Sequence, residues 1–178
     1  LINHRIRRYR HQSWEHMAQI SRKQAARMRQ LYLWRWAMKF CSWCGSAVDL
    51  RVPDGDNRER HVCSSCDAIH YHNPRIITGC LPVYRDPLGD KVLLCRRAIE
   101  PRLGFWTLPA GFMELGETVS EGAARETVEE AGAHVAMGEL YCLFNLPHIG
   151  QVYTMYLAEL AEPVFEKCTS ESLEVALF

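Results

Sequence analysis

Along this 178-residue chain, apolar residues come in short runs bounded by turn residues, except in one stretch where their spacing lengthens to that of a helix. Arg75 to Tyr84 (RIITGCLPVY) is a β-branched run that predicts a central strand despite Pro82. Asp86-Pro87-Leu88-Gly89-Asp90 reads as a turn and Lys91 to Arg97 (KVLLCRR) as the returning strand, so residues 76 to 97 predict a hairpin. The helical stretch lies within Gly111 to Ala133 (GFMELGETVSEGAARETVEEAGA). Thr118 is its N-cap, Glu121 completes a capping box, and Gly132 supplies the left-handed residue after Ala131. At 100° per residue Glu126, Glu129 and Glu130 fall within roughly a 100° arc. Ala123, Ala124, Thr127, Val128 and Ala131 take the opposite side, which predicts a core face and a separate comb of carboxylates. Ala133 to Met137, Leu140 to Phe144 and Gln151 to Leu160 read as further strands, and Glu174 to Phe178 begins another. Strands, a helix and more strands predict an α+β domain, a mixed α/β sandwich.

Like charges one helical turn apart are destabilising, so the glutamate comb needs a compensating partner. A hard divalent cation provides one, because Mg²⁺ or Mn²⁺ takes oxygen ligands and bridges to substrate phosphates. Arg125, beside Glu126 and four residues before Glu129, is placed to pair with a glutamate. A solvated acidic helix face is the plain alternative for such a cluster.

The spacing narrows the choice. Gly111, Glu117, Arg125, Glu126, Glu129, Glu130 and Gly132 match the signature of the Nudix hydrolases at each of its fixed positions, with Thr127 and Ala133 as small stand-ins for bulkier aliphatic residues. This resemblance implies a metal-dependent hydrolase that cuts a diphosphate linked to a nucleoside, built on a Nudix-type α/β/α sandwich. It further implies that Glu126, Glu129 and Glu130 hold Mg²⁺ or Mn²⁺ with help from the Gly111 carbonyl. Arg125 would orient a glutamate, Glu117 would assist from the loop, and Glu129 is the candidate to activate water, with Glu171 or Glu174 from a late loop as the alternative. In that family a second helix usually follows the last strand; the sequence ends before it, so one core face is expected to be less covered.

Two cysteine pairs add a second chemistry. Cys41-Ser-Trp-Cys44 and Cys63-Ser-Ser-Cys66 are CxxC knuckles with eighteen residues between them, a spacing that fits a four-cysteine structural zinc site. Gly45 permits the tight turn after the first knuckle, and Pro53, Gly55 and Asn57 mark a turn-rich tip. So short a segment has no core of its own, and thiolate ligation would supply most of its stability. His61, His70 and His72 lie nearby, but two intact pairs leave no ligand position for them. Two disulfides or a redox pair are the competing readings; the first lacks a signal peptide and the second lacks a βαβ context. Cys80, Cys95, Cys142 and Cys168 are isolated and read as buried thiols.

The net charge of zero conceals an asymmetry: residues 1–40 carry +9 and the remainder −9. The acidic remainder argues against a nucleic-acid footprint, so no nucleic acid is expected as a partner. No run of about 18 apolar residues is present, so no membrane helix is expected. Residues 1–37 read as a basic extension, either a transit peptide, an RNA- or membrane-surface helix, or upstream sequence without a catalytic role. Residues 38–73 read as the zinc ribbon and 74–178 as the hydrolase domain. A cytoplasmic location is expected, or a plastid or mitochondrion if the extension is a transit peptide.

Further motifs (FCSWCG, ERHVCSSC, IHYHNP, LLCRRAIEPRLGFWTLPAGFMELGE, LPHIGQVY, ESLEVALF) make the chain resemble zinc-ribbon Nudix hydrolases of bacteria and plant plastids. That resemblance implies ADP-ribose or FAD as substrate, with NADH also allowed, and release of AMP. Arg96 and Arg97 are candidates for the phosphates, Arg97 the less favoured if the two alternate across the sheet. Trp106 is the preferred aromatic for stacking on a base, ahead of Phe105, Phe112 and Tyr153, and Glu174 is a further substrate candidate. His148 reads as a loop histidine. A binding module on an inactive scaffold, gripping RNA or protein through the ribbon, is the competing function. A homodimer is allowed for.

Overall fold

The computed structural model describes residues 38–166 and 169–178; the basic extension 1–37 and Cys168 lie outside them. The chain divides into two compact units at Asn73–Pro74. In the first, β1 (Val48–Arg51), β2 (Arg60–Cys63) and β3 (Ile69–His70) form an antiparallel sheet in that order. Each knuckle reverses the chain beside this sheet, with Gly45 N–H bonding Cys41 O and Asp67 N–H bonding Cys63 O. Arg60 ties the tip by donating from Nε to Asp56 at 2.9 Å, and its guanidinium lies over Tyr71, 5.2 Å from the ring centre.

The second unit contains β4 (Arg75–Tyr84), β5 (Lys91–Arg97), β6 (Trp106–Thr107), β7 (Ala110–Phe112), α1 (Val119–Ala131), β8 (Ala136–Leu146), β9 (Gln151–Leu160) and β10 (Ser172–Leu177). The sheet runs β10-β5-β4-β9-β8, with β6 on β5 and β7 on β4. Its one parallel pair, β4 with β9, makes it mixed. Pro82 is tolerated for a positional reason. The Cys80 N–H points toward β7, so that of residue 82 would face the same side, and there β4 has left β7 at Gly79 and joins β5 only at Val83.

The two strands expected over 133–137 and 140–144 are one strand, β8, kinked by register shifts between Met137 and Cys142. The local irregularity that looked like a break is a bulge. Cys80 and Cys95 are buried as expected, whereas Cys142, on β8 beyond that bulge, is only half-buried.

Helix α1 has the expected ends: the Thr118 side chain accepts from the Glu121 N–H, Glu121 accepts from the Thr118 N–H, and Gly132 sits at φ 59°. Its small residues bring it close to the sheet. Ala123 packs with Cys80 and Ala158, and Ala131 with Leu93, Cys95 and Leu160. Buried hydroxyls on this face are satisfied, since Thr78 donates to Val119 O at 2.6 Å and Thr127 to Ala123 O at 2.8 Å, with Cys80 Sγ 2.9 Å from the Thr127 oxygen. Thr127 thus replaces an aliphatic residue without leaving a polar group unpaired.

Candidate active site and zinc ribbon

The division of α1 into a core face and a solvent-facing comb needs correction. Glu126 and Glu130 are buried, at 8% and 9% exposure, alongside Ala123 and Thr127, while Glu129 is exposed. Residues 126 and 130 follow 123 and 127 by one turn on the buried stripe, and the β7 loop closes over them. Ala110 donates its N–H to Glu130 at 3.2 Å. The Glu126 carboxylate rests against Gly111, where a Cβ would collide with all three carboxylate atoms, so a side chain there would push that carboxylate out of its place.

Arg125 organises the rest. It grips Glu117 with Nε and Nη2, both at 2.9 Å, and its Nη1 bonds Glu126 at 2.9 Å and Glu129 at 3.0 Å. Nη2 also bonds the Phe112 carbonyl at 3.0 Å, fixing the loop to the helix. Glu117 takes a further bond from the Glu114 N–H at 2.7 Å. These contacts set the charges apart. Hydrogen bonds from Arg125, then from Glu114, pull the Glu117 carboxyl down to about 2. Burial pushes Glu130 up to about 7, with Glu126 and Glu171 adding repulsion and Arg97 opposing it. Burial also raises Glu126, assisted by Glu129 and Glu171.

Among the described residues, the group of metal-ligand atoms drawn together within 4.8 Å is the cysteine quartet, and the glutamates are not gathered to that degree. Like charges repel, and here one guanidinium edge stands between Glu126 and Glu129. The donor set nonetheless fits a hard cation. Two buried, mutually repelling carboxylates with raised proton affinity are all-oxygen ligands short of positive charge.

The substrate candidates are split by strand alternation. Leu93, Cys95 and Arg97 share the side of β5 that meets α1, which is why Arg97 acts on Glu130. Arg96 is on the other side, opposite Trp106 and opposite Glu174, to which it is bonded at 3.5 Å. Trp106 meets Phe178 edge-on at 4.7 Å. Arg97, the candidate that alternation was taken to disfavour, therefore lies on the glutamate side of the strand, and Arg96 on the other. Glu171, not Glu174, is the late-loop glutamate whose charge reaches them. His148 is exposed in a 3₁₀ turn, Pro147–Ile149.

In the ribbon, Cys41 and Cys66 Sγ are 3.7 Å apart and Cys44 and Cys63 Sγ 3.5 Å. A zinc tetrahedron with bonds of about 2.3 Å has edges of about 3.8 Å, so the four sulfurs fit zinc. Trp43 and Ser65 each point an N–H at the first sulfur of their knuckle, both at 3.4 Å.

Residues 73–175 match the model of the NUDIX domain, and residues 39–72 that of the Nudix N-terminal zinc ribbon. The chain belongs to the Nudix family. A NUDIX hydrolase from Nitrosomonas europaea is 55% identical in sequence, with a TM-score of 0.74 over 79% of this chain and 77% of that one. Two relatives called NAD-capped RNA hydrolases cover 67% of this Nudix chain each. The human protein NUDT12 is 32% identical and NudC of Chromobacterium violaceum 36%. The chain spans only 27% and 41% of their respective lengths. Their names overturn the expectation that nucleic acid is no partner. A charge balance of −9 outside residues 1–40 speaks against gripping a long phosphate backbone, but an enzyme that takes only a capped end needs no such grip. Among the described residues, no helix is long and apolar enough to cross a membrane.

Proposed function

We propose that residues 74–178 hydrolyse the diphosphate of a nicotinamide adenine dinucleotide, free or carried as the cap of an RNA, and that residues 38–73 form the accompanying zinc ribbon. The observation that carries this reading is the pair of buried glutamates on a capped helix, Glu126 bonded with Glu129 to Arg125 and Glu130 held by the Ala110 N–H. The relatives' names favour the nicotinamide dinucleotide over ADP-ribose or FAD.

Glu126, Glu129 and Glu130, with the Gly111 carbonyl, would hold Mg²⁺ or Mn²⁺. When bound, such a cation neutralises phosphate charge and lowers the pKa of water. Glu129, the exposed member of the set, takes the proton from the attacking water. The water oxygen bonds to one phosphorus, the bond from that phosphorus to the bridging oxygen breaks, and two monophosphates leave. Arg97, on the glutamate side of β5, offsets phosphate charge. Arg125 and Glu117 position the glutamates. Arg96, Trp106 and Glu174 form a cross-strand row that is the candidate surface for the nucleoside farther from the cut.

The test is a substrate panel with Mg²⁺ or Mn²⁺: NAD-capped RNA, NADH, ADP-ribose and FAD. The expected products are a 5′-monophosphate RNA end from the first and AMP from NADH. Cleavage confined to ADP-ribose or FAD would overturn the substrate assignment; no cleavage of any member, with RNA still bound, would overturn catalysis.

A further inference from the structure

Four thiolates around one Zn²⁺ leave a net charge of −2, which buried sulfurs cannot shed to water. N–H donors aimed at sulfur spread that charge. The two buried sulfurs are served differently. Cys63 takes one backbone N–H, from Ser65, whereas Cys41, 3% exposed, takes that of Trp43 and also faces His70, whose Nε2 is 3.3 Å from its sulfur. His70 comes from 29 residues along the chain, on β3, where pairing with His61 of β2 holds it in register.

We infer that His70 is a positioning residue of the ribbon: its ring donates an Nε2–H hydrogen bond to the Cys41 thiolate and so retards escape of the metal. The bond needs the proton on Nε2, and the four sulfurs already complete a tetrahedron, so the ring acts as donor and not as a fifth ligand. It also joins the last strand of the ribbon to the first knuckle, so that metal and sheet hold one another.

The experiment follows zinc transfer from the zinc-loaded chain to an excess of a chromophoric chelator. His70→Ala and His70→Phe should release zinc about 10-fold faster or more, in line with other lost hydrogen bonds to metal ligands. His70→Gln, which keeps an N–H donor, should recover part of the difference. With Co²⁺ in place of zinc, the sulfur-to-cobalt charge-transfer band should keep its four-thiolate intensity in His70→Phe but shift in energy. His70→Phe releasing zinc as slowly as the parent would show that the ring only fills space, and would overturn the inference. A change in cobalt-band intensity on replacing His70 would make it a ligand, which also overturns it. The comparison of Phe with Gln decides the matter even where the alanine variant fails to fold.

Discussion

The molecule holds two clusters of acidic ligands, assembled in opposite ways. In the ribbon, four sulfurs converge within 4.8 Å and N–H groups point at them. On α1, three carboxylates crowd one turn of helix, yet an arginine is threaded among them and they stay apart. The ribbon site is closed and soft, with each of four positions filled by the protein. The helix site, as proposed, would be hard and open, with room for substrate oxygens. A ligand set that serves stability is gathered by its strands, whereas one suited to turnover is held under tension by burial and repulsion.

The sharpest way to break this comparison is to take the zinc away. Thiolate ligation in small zinc domains is worth on the order of 10 kcal/mol. The zinc-free chain should therefore lose amide-exchange protection over residues 39–72 while β4, β9 and α1 keep theirs. A ribbon that stays protected would mean that its three short strands suffice without the metal.

On the helix the effect should fall on rate and not on folding. Glu126→Gln and Glu130→Gln keep shape and hydrogen-bonding capacity but remove charge, so hydrolysis should drop by about 10²- to 10³-fold. Circular dichroism should stay unchanged, because the amide removes the buried repulsion instead of adding to it. Full activity in both variants would end the metal-site reading.

Arg125 separates gathering from chemistry. A lysine cannot bond Glu117 through two nitrogens while also reaching Glu126, Glu129 and the Phe112 carbonyl. Arg125→Lys should lower the rate by roughly 10- to 100-fold, as for other lost supports of metal ligands, and raise the metal concentration needed for half-maximal activity. A rate loss without that shift in metal dependence would move Arg125 from positioning the glutamates to touching substrate.

Much of this was legible beforehand, for local reasons. The ends of α1 follow from Thr118, Glu121 and Gly132, because caps are made by residues three apart. The zinc quartet follows from CxxC spacing, since each knuckle is a local turn. What escaped notice depends on pairing between distant strands. The burial of Glu126 and Glu130 comes from β7 folding over α1, and the closeness of Gly111 to Glu126 appears only when loop and helix are docked. His70 reaches Cys41 through β2–β3 pairing that no spacing announces. The bulge in β8 left a gap in the apolar pattern that looked like a loop.

The smallest expected effect contrasts two carboxylates on the same helix. Glu130 is buried and its proton affinity raised, whereas Glu121 sits at the exposed first turn, where the Thr118 N–H bonds its carboxylate at 2.7 Å and lowers its pKa. A carboxyl whose folded-state pKa is depressed contributes stability above its unfolded value, about 4.3, and that contribution is lost as the pH falls through the folded value. Stability of the parent chain should therefore decline more steeply with acid below about pH 5 than that of Glu121→Ala, and the two curves should converge at low pH. Denaturant midpoints measured at a series of pH values would check this. Parallel curves would show that the capping box contributes through the Thr118 hydroxyl alone, and that the charge on Glu121 adds nothing to holding the glutamate helix at its start.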